Sequence, residues 1–161
     1  MSALKIVSSA IALLMVLPGI VWGYYNDELS RETLMGITVV WVEVMSITPE
    51  IEKAGLTRSQ IQTDVEQKLH LTKLNVEHEK NGWPRLLVYV NILKTSYGAY
   101  AYVVNLELEQ LVYLERNKKP NRATTWSTGV FGIARELDEI RSAIKDRADV
   151  FLNAWLSVNP K

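Results

Sequence analysis

Hydrophobic and polar positions alternate along this chain in two different periods, and the points where one gives way to the other mark its elements. The run Ile37-Thr38-Val39-Val40-Trp41-Val42-Glu43-Val44-Met45-Ser46-Ile47 is β-branched and apolar at both parities in its middle. That pattern predicts a strand placed centrally in a sheet and covered on both faces. Thr48-Pro49 closes it, because proline cannot donate to a ladder.

The period then changes. Thr57 and Gln60 stand three apart as a capping box, with Leu56 and Ile61 as a hydrophobic staple around it. Ile61, Val65, Leu69 and Thr72 follow at helical spacing, so a helix with one apolar stripe is expected, ending near Leu74. A short strand over Asn75 to Glu79 and a turn at Asn81-Gly82-Trp83-Pro84 come next.

Strands are predicted over Leu86 to Lys94, Ala99 to Glu115 and about Ala123 to Phe131. They are joined by a hairpin at Thr95-Ser96-Tyr97-Gly98 and a turn around Asn117 to Asn121. In the long middle strand Tyr100, Tyr102, Val104, Leu106, Leu108, Val112 and Leu114 share the parity assigned to the core. Asn105, Glu107 and Glu109 share the parity assigned to water. The last element is a long amphipathic helix, in which Leu137, Ile140, Ile144, Ala148, Phe151, Leu152, Trp155 and Leu156 step by three and four through a charged segment. The expected fold class is α+β: a single mainly antiparallel sheet in the order β-α-(β)-β-β-β-α, with two amphipathic helices packed on it. Tyr24 to Gly36 is polar and is expected to wrap the surface, with a turn of helix within it.

Ahead of this domain, Lys5 precedes a largely apolar run from Ile6 to Leu17, then Pro18-Gly19 and Val21-Trp22-Gly23. This reads as a signal peptide over residues 1–23, cut before Tyr24, leaving 24–161 as one domain. The apolar run falls short of the roughly 20 residues needed to cross a bilayer, so no stable transmembrane anchor is expected after cleavage. The expected location is the periplasm or the medium.

Composition narrows the chemistry. The chain of 161 residues holds 18 basic and 18 acidic side chains, giving zero formal charge. That supplies no electrostatic footprint for nucleic acid. With no cysteine it has no disulfide, thiolate nucleophile or cysteine-based metal site. His70 and His78 lie eight apart across a helix-to-strand turn, which is not the spacing of a zinc helix, and Glu77 and Glu79 would flank His78 from the opposite strand face. No metal and no cofactor is expected.

Three carboxylates merit attention. Glu43 interrupts an apolar strand, where burial would suit it to proton transfer, although a place near a sheet end or a pairing with Arg or Lys is the commoner role. Glu107 and Glu109 lie about 7 Å apart on one strand face, a spacing open to glycoside hydrolysis. Gly129-Val130-Phe131-Gly132 lacks the Lys and Ser/Thr of a phosphate loop and reads as a strand end or bulge. Ser127 has no evident His partner for nucleophilic catalysis.

Tyr97, Tyr100, Tyr102, Tyr113 and Trp126 lie on the meander, where exposed rings stack on sugars or peptides and about half are expected in the core. They are the candidate binding residues. A free sheet edge also offers β-augmentation. The leading functional expectation is an exported, non-catalytic binding module whose partner is an envelope protein, peptide, glycan or lipid. The alternatives are a lipid or outer-membrane assembly factor whose helix and sheet part around an acyl chain, and a small hydrolase using the carboxylates.

Three segments, 55–66 (Gly-Leu-Thr-Arg-Ser-Gln-Ile-Gln-Thr-Asp-Val-Glu), 125–129 (Thr-Trp-Ser-Thr-Gly) and 151–161 (Phe-Leu-Asn-Ala-Trp-Leu-Ser-Val-Asn-Pro-Lys), resemble a family of small secreted bacterial proteins of unknown function. The resemblance implies no activity or site residue. The order of elements also looks like small envelope domains, such as the amino-terminal domain of the translocation protein TolB or lipopolysaccharide-assembly lipoproteins. The chain departs from the lipoproteins in lacking a lipid-bearing cysteine.

Overall fold

The fold is seen in a computed structural model that describes residues 26–77 and 83–160. Residues 1–25, where the signal peptide is expected, and His78, Glu79 and the Asn81-Gly82 half of the expected turn lie outside the described residues.

Among the described residues nine elements follow in order: α1 (Glu28–Glu32), β1 (Val39–Val44), α2 (Pro49–Lys53), α3 (Arg58–His70), β2 (Asn75–Glu77), β3 (Arg85–Lys94), β4 (Tyr100–Tyr113), β5 (Pro120–Ala134) and α4 (Leu137–Val158). The strands form one sheet in the order β2-β1-β3-β4-β5. The β3-β4-β5 meander is antiparallel, whereas β1 runs parallel to both of its neighbours. Glu77 of β2 and Arg85 of β3 stand in register with Trp41 from opposite sides. The class is α+β and the sheet mostly antiparallel, as the periodicity predicts.

Local chemistry sets the helix starts. The capping box at α3 is formed: Thr57 N–H donates to Gln60 Oε1 at 2.9 Å, and Gln60 N–H donates to Thr57 Oγ1 at 3.3 Å. Asp27 caps α1, accepting from Ser30 N–H at 2.8 Å. Pro49 does not end the strand, since β1 already stops at Val44; it occupies the first turn of α2, where its missing N–H costs nothing.

Helices α3 and α4 lie side by side on one face of the sheet, α3 against β1 and β2 and α4 against β4 and β5. Ile61, Val65 and Leu69 of α3 and Ile140, Ile144, Ala148 and Phe151 of α4 are fully buried there, against Val40, Val42, Val44, Val104, Leu106 and Leu108. Each large apolar side chain so buried contributes roughly 1.5 to 3 kcal/mol. The carboxyl end of α4 is also tied by hydrogen bonds: Trp155 Nε1 donates to the Ile37 carbonyl at 2.8 Å, and the Asn159 amide bonds the Leu34 carbonyl at 2.9 Å.

Two expectations are corrected. β1 is interior to the sheet but is not covered alike on both faces: Val40, Val42 and Val44 are buried beneath the helices, while Val39, Trp41 and Glu43 alternate with them and stay half-exposed. The reason is that both packed helices occupy one face. Gly129 and Gly132 lie inside β5 rather than at its end, and the bulge falls earlier, where two residues of β5 oppose one of β4 between the Leu108–Trp126 and Glu109–Thr124 pairs. Each glycine makes room for a neighbour across the ladder. A Cβ on Gly132 would lie 2.9 Å from the Tyr102 hydroxyl, so the Tyr102 ring rests over it.

Candidate functional site: the open face of the sheet

The face turned away from the helices carries the odd-numbered residues of β1, β3 and β4, and it has two dissimilar ends. At the first end Arg85 is the centre. Its guanidinium donates to Glu43 Oε2 at 3.1 Å and to Glu109 Oε2 through both Nε and Nη2. It also stacks 4.7 Å from the Trp83 ring centroid and 5.7 Å from that of Trp41. Arg122 lies over Trp83 as well, at 4.8 Å. Glu107 accepts from Thr124 Oγ1 at 3.2 Å. Burial, with Glu107 and then Glu109 adding to it, pushes the nearby Tyr89 hydroxyl above the ordinary tyrosine range.

This geometry settles what each carboxylate does. Glu43 and Glu109 both serve one arginine, and Glu107 is bonded to a threonine on β5. Glu43 therefore takes the pairing role rather than that of a desolvated acid.

The second end is apolar. In register across the strands run two rows, Asn91–Val103–Phe131 and Leu93–Ala101–Ile133. Leu93 is 70% exposed, Val103 40%, Phe131 55% and Ile133 76%. Between them opens a trough of about 650 Å³ that continues to Ser46, Thr48 and Ile51. It opens there because β1 pairs with β3 only as far as Val88, while β3 runs on to Lys94. No lining side chain is charged. Four apolar side chains left in water on adjacent strands set this end of the face apart from the charged one.

The candidate aromatic residues do not converge. Tyr97 projects from the β3–β4 hairpin and Tyr113 ends β4, both well exposed but separated by roughly 45 Å of extended chain. Tyr100 and Tyr102 are half-buried on the helix side, Tyr100 beneath the Lys94 ammonium at 5.9 Å. Burial, with Glu139 adding to it, raises the Tyr102 hydroxyl above its ordinary range. Trp126 is fully enclosed, its ring edge-on to Phe151 at 5.2 Å and its Nε1 donating to Asn26 Oδ1 at 3.2 Å. It is a core residue. Tyr102 alone of the five touches the trough.

Sequence reasoning missed the trough although its signal was present. Ala101 and Val103 share the parity of Asn105, Glu107 and Glu109, and two apolar residues at water-facing positions are the anomaly to notice. His70 ends α3 and is exposed. Among the described residues no three His, Asp or Glu side chains gather as metal ligands, and no helix is long and apolar enough to cross a membrane.

No protein-family model and no curated protein matches the chain. Among solved structures it is similar to the PelC dodecamer from Paraburkholderia phytofirmans, with 16% identity over 82% of this chain and 96% of that one and a TM-score of 0.47.

Proposed function

We propose that this protein is an exported, non-catalytic binding module that takes an apolar group of its partner into the trough on the open sheet face. The observation that carries this reading is the trough itself, an uncharged hollow of about 650 Å³ with Leu93, Val103, Phe131 and Ile133 held in water at its walls. Pockets of this size and lining suit a small apolar moiety. The apolar leader segment supports export. The alternative in which helix and sheet part around an acyl chain finds that interface filled by Trp126, Phe151, Ile140 and Ile144. An acyl ligand would meet the protein on the opposite face. Of the carboxylates the hydrolase alternative needs, Glu43 and Glu109 pair with Arg85 and Glu107 accepts from Thr124, which weighs against it.

Titration with the fluorescent acyl probe dansyl-undecanoic acid tests the reading. Val103→Asp and Phe131→Asp place a charge in the hollow and are expected to weaken probe binding at least about tenfold, because an unpaired carboxylate resists desolvation. Glu43→Gln, at the other end of the face, is expected to leave it unchanged. Equal affinity in all four proteins, or no saturable binding to the parent, overturns the proposal.

A further inference from the structure

Strand β3 has a neighbour on each side, but only one of them lasts its full length. β4 pairs with it from Arg85–Glu109 to Lys94–Tyr100, whereas β1 pairs with it only from Arg85 to Val88. The hairpin fixes where the main-chain groups beyond Val88 point. Thr95 N–H donates to the Ala99 carbonyl at 2.7 Å, so bonded pairs recur at every second residue from there, at Leu93–Ala101, Asn91–Val103 and Tyr89–Asn105. The residues between them, Val90, Ile92 and Lys94, turn N–H and C=O away from β4, toward the side of β1. Val88 belongs to the same set, and its carbonyl accepts from Met45 N–H at 2.9 Å. Past that bond the chain has left the sheet for α2, and among the described residues no strand lies beside β3 from Val90 to Lys94. Asn91, Leu93 and Lys94 are exposed and Ile92 is half-buried, so the edge is open. The trough runs along it, lined by residues 90–93 of β3 and by Ser46, Thr48 and Ile51 from the chain that follows β1.

We infer that the apolar group taken into the trough is carried on an extended peptide segment of the partner, which adds to β3 from Val90 to Lys94 as a strand in line with β1. The inference rests on the binding reading above and gives its partner a chemistry. Three observations select a peptide over an acyl chain. An acyl chain along this edge strips water from the main-chain groups of Ile92 and Lys94 and returns no hydrogen bond, whereas a strand returns one for each. The place continues a pairing already made, since β1 lies beside β3 as far as Val88. The device that commonly blocks a free edge is turned aside: the Lys94 ammonium lies over the Tyr100 ring at 5.9 Å, on the helix side, and no side chain lining the trough is charged. From Val88 to Lys94 the strand rises roughly 20 Å, room for about six residues. Side chains of an added strand alternate between faces, so every second one joins the open-face row Leu93–Ala101–Ile133. The partner segment is therefore uncharged in its middle and apolar at alternate positions.

The peptide acetyl-Lys-Thr-Val-Thr-Val-Thr-Val-Lys-amide has this pattern, and calorimetry of the full chain is expected to give a Kd of about 1 to 100 µM. It is expected to displace dansyl-undecanoic acid. Two further peptides carry methyl groups on the main-chain nitrogens of all three threonines or of all three valines. A strand directs only one of these sets at β3, so one methylated peptide is expected to bind at least about tenfold more weakly than the other. Lys94→Pro removes an outward N–H and leaves the β3–β4 ladder whole, so it is expected to weaken the unmethylated peptide at least about fivefold with circular dichroism retained. No saturable binding at about 1 mM peptide overturns the inference. So do equal affinities of the two methylated peptides, which indicate capture by side chains alone, binding that leaves the acyl probe in place, and a folded Lys94→Pro that binds as the parent does. Saturable probe binding without peptide binding ends the added strand and leaves the trough a site for other apolar groups, whereas loss of both ends both.

Discussion

Asn105 on β4 lays its carboxamide across Gly129 on β5: a Cβ at Gly129 would meet Asn105 Oδ1 at 2.3 Å and the Val104 carbonyl oxygen at 3.3 Å. The glycine is there for space. Gly129→Ala is expected to cost about 1 to 2 kcal/mol by forcing Asn105 aside. In Asn105→Ala/Gly129→Ala the obstruction is gone, so the double variant should lose less than the two single variants together, by at least about 0.5 kcal/mol. Urea denaturation of the four proteins measures the coupling, and strict additivity counts against it.

Trp126 belongs to the core and not to the open face. Trp126→Ala is expected to lower stability by about 3 to 5 kcal/mol, since it empties the contact with Phe151. Trp126→Phe keeps most of the volume and should retain the fold while losing the bond to Asn26. Dansyl-undecanoic acid should bind Trp126→Phe as it binds the parent. A selective loss of probe binding would return Trp126 to the candidate site.

Between the two helices, Asp64 is nearly buried and accepts from Arg141, with Nη2 to Oδ1 at 2.9 Å, while Lys145 lies 3.9 Å away. The bond from Arg141 holds the Asp64 carboxyl below the ordinary aspartate range in spite of burial, and both cations add to this. A carboxyl depressed in the folded state contributes stability that is fully present above its unfolded pKa and disappears as pH falls through the lower folded value. Asp64→Asn is therefore expected to cost about 1 to 3 kcal/mol, roughly constant from pH 5 to 7. The gap from the parent should narrow below about pH 4, where an unfolded aspartate takes up its proton. Thermal midpoints of both proteins across this range check the sign.

Arg85 holds two carboxylates that lie on different strands, one on each side of β3. Arg85→Met leaves Glu43 and Glu109 facing one another, each about one-fifth exposed, and is expected to cost about 1 to 2 kcal/mol at neutral pH. Adding Glu43→Gln should recover part of it. Arg85→Lys keeps the charge but not the fork or the stacking on Trp83, so it should fall between. Chemical denaturation distinguishes the three.

Much of the scaffold was readable from local signals. The Thr57/Gln60 box and the α4 stripe are self-contained, because a helix advertises its buried face within its own residues. The pairing of β1 was not readable: nothing in Val39 to Val44 says that both its neighbours run parallel to it. Val39, Trp41 and Glu43 misled because the open face mixes Trp, Leu87 and charged residues, which blurs the alternation. Trp126 was hidden differently. Its neighbours Thr125, Ser127 and Thr128 suggest a wet strand, yet Thr128 is enclosed with it, and the bulge shifts the parity in front of them. For the trough, the relevant residues sit on three strands, and their adjacency is a matter of register that no single segment contains.

The mixed directions of the strands also impose a timetable on folding. β3, β4 and β5 are joined by short turns, so their ladders close small loops at little entropic cost, whereas β1 reaches β3 only after some 40 residues of intervening chain have been gathered. The hairpins are thus free to zip first, and β1 docks into a slot whose one wall already stands. Amide protons of β4 should become protected early in pulsed hydrogen exchange and those of Val40 and Val42 late. Until β1 arrives, the inner edge of β3 stands open, and a newly made chain is then most vulnerable to capture by its neighbours.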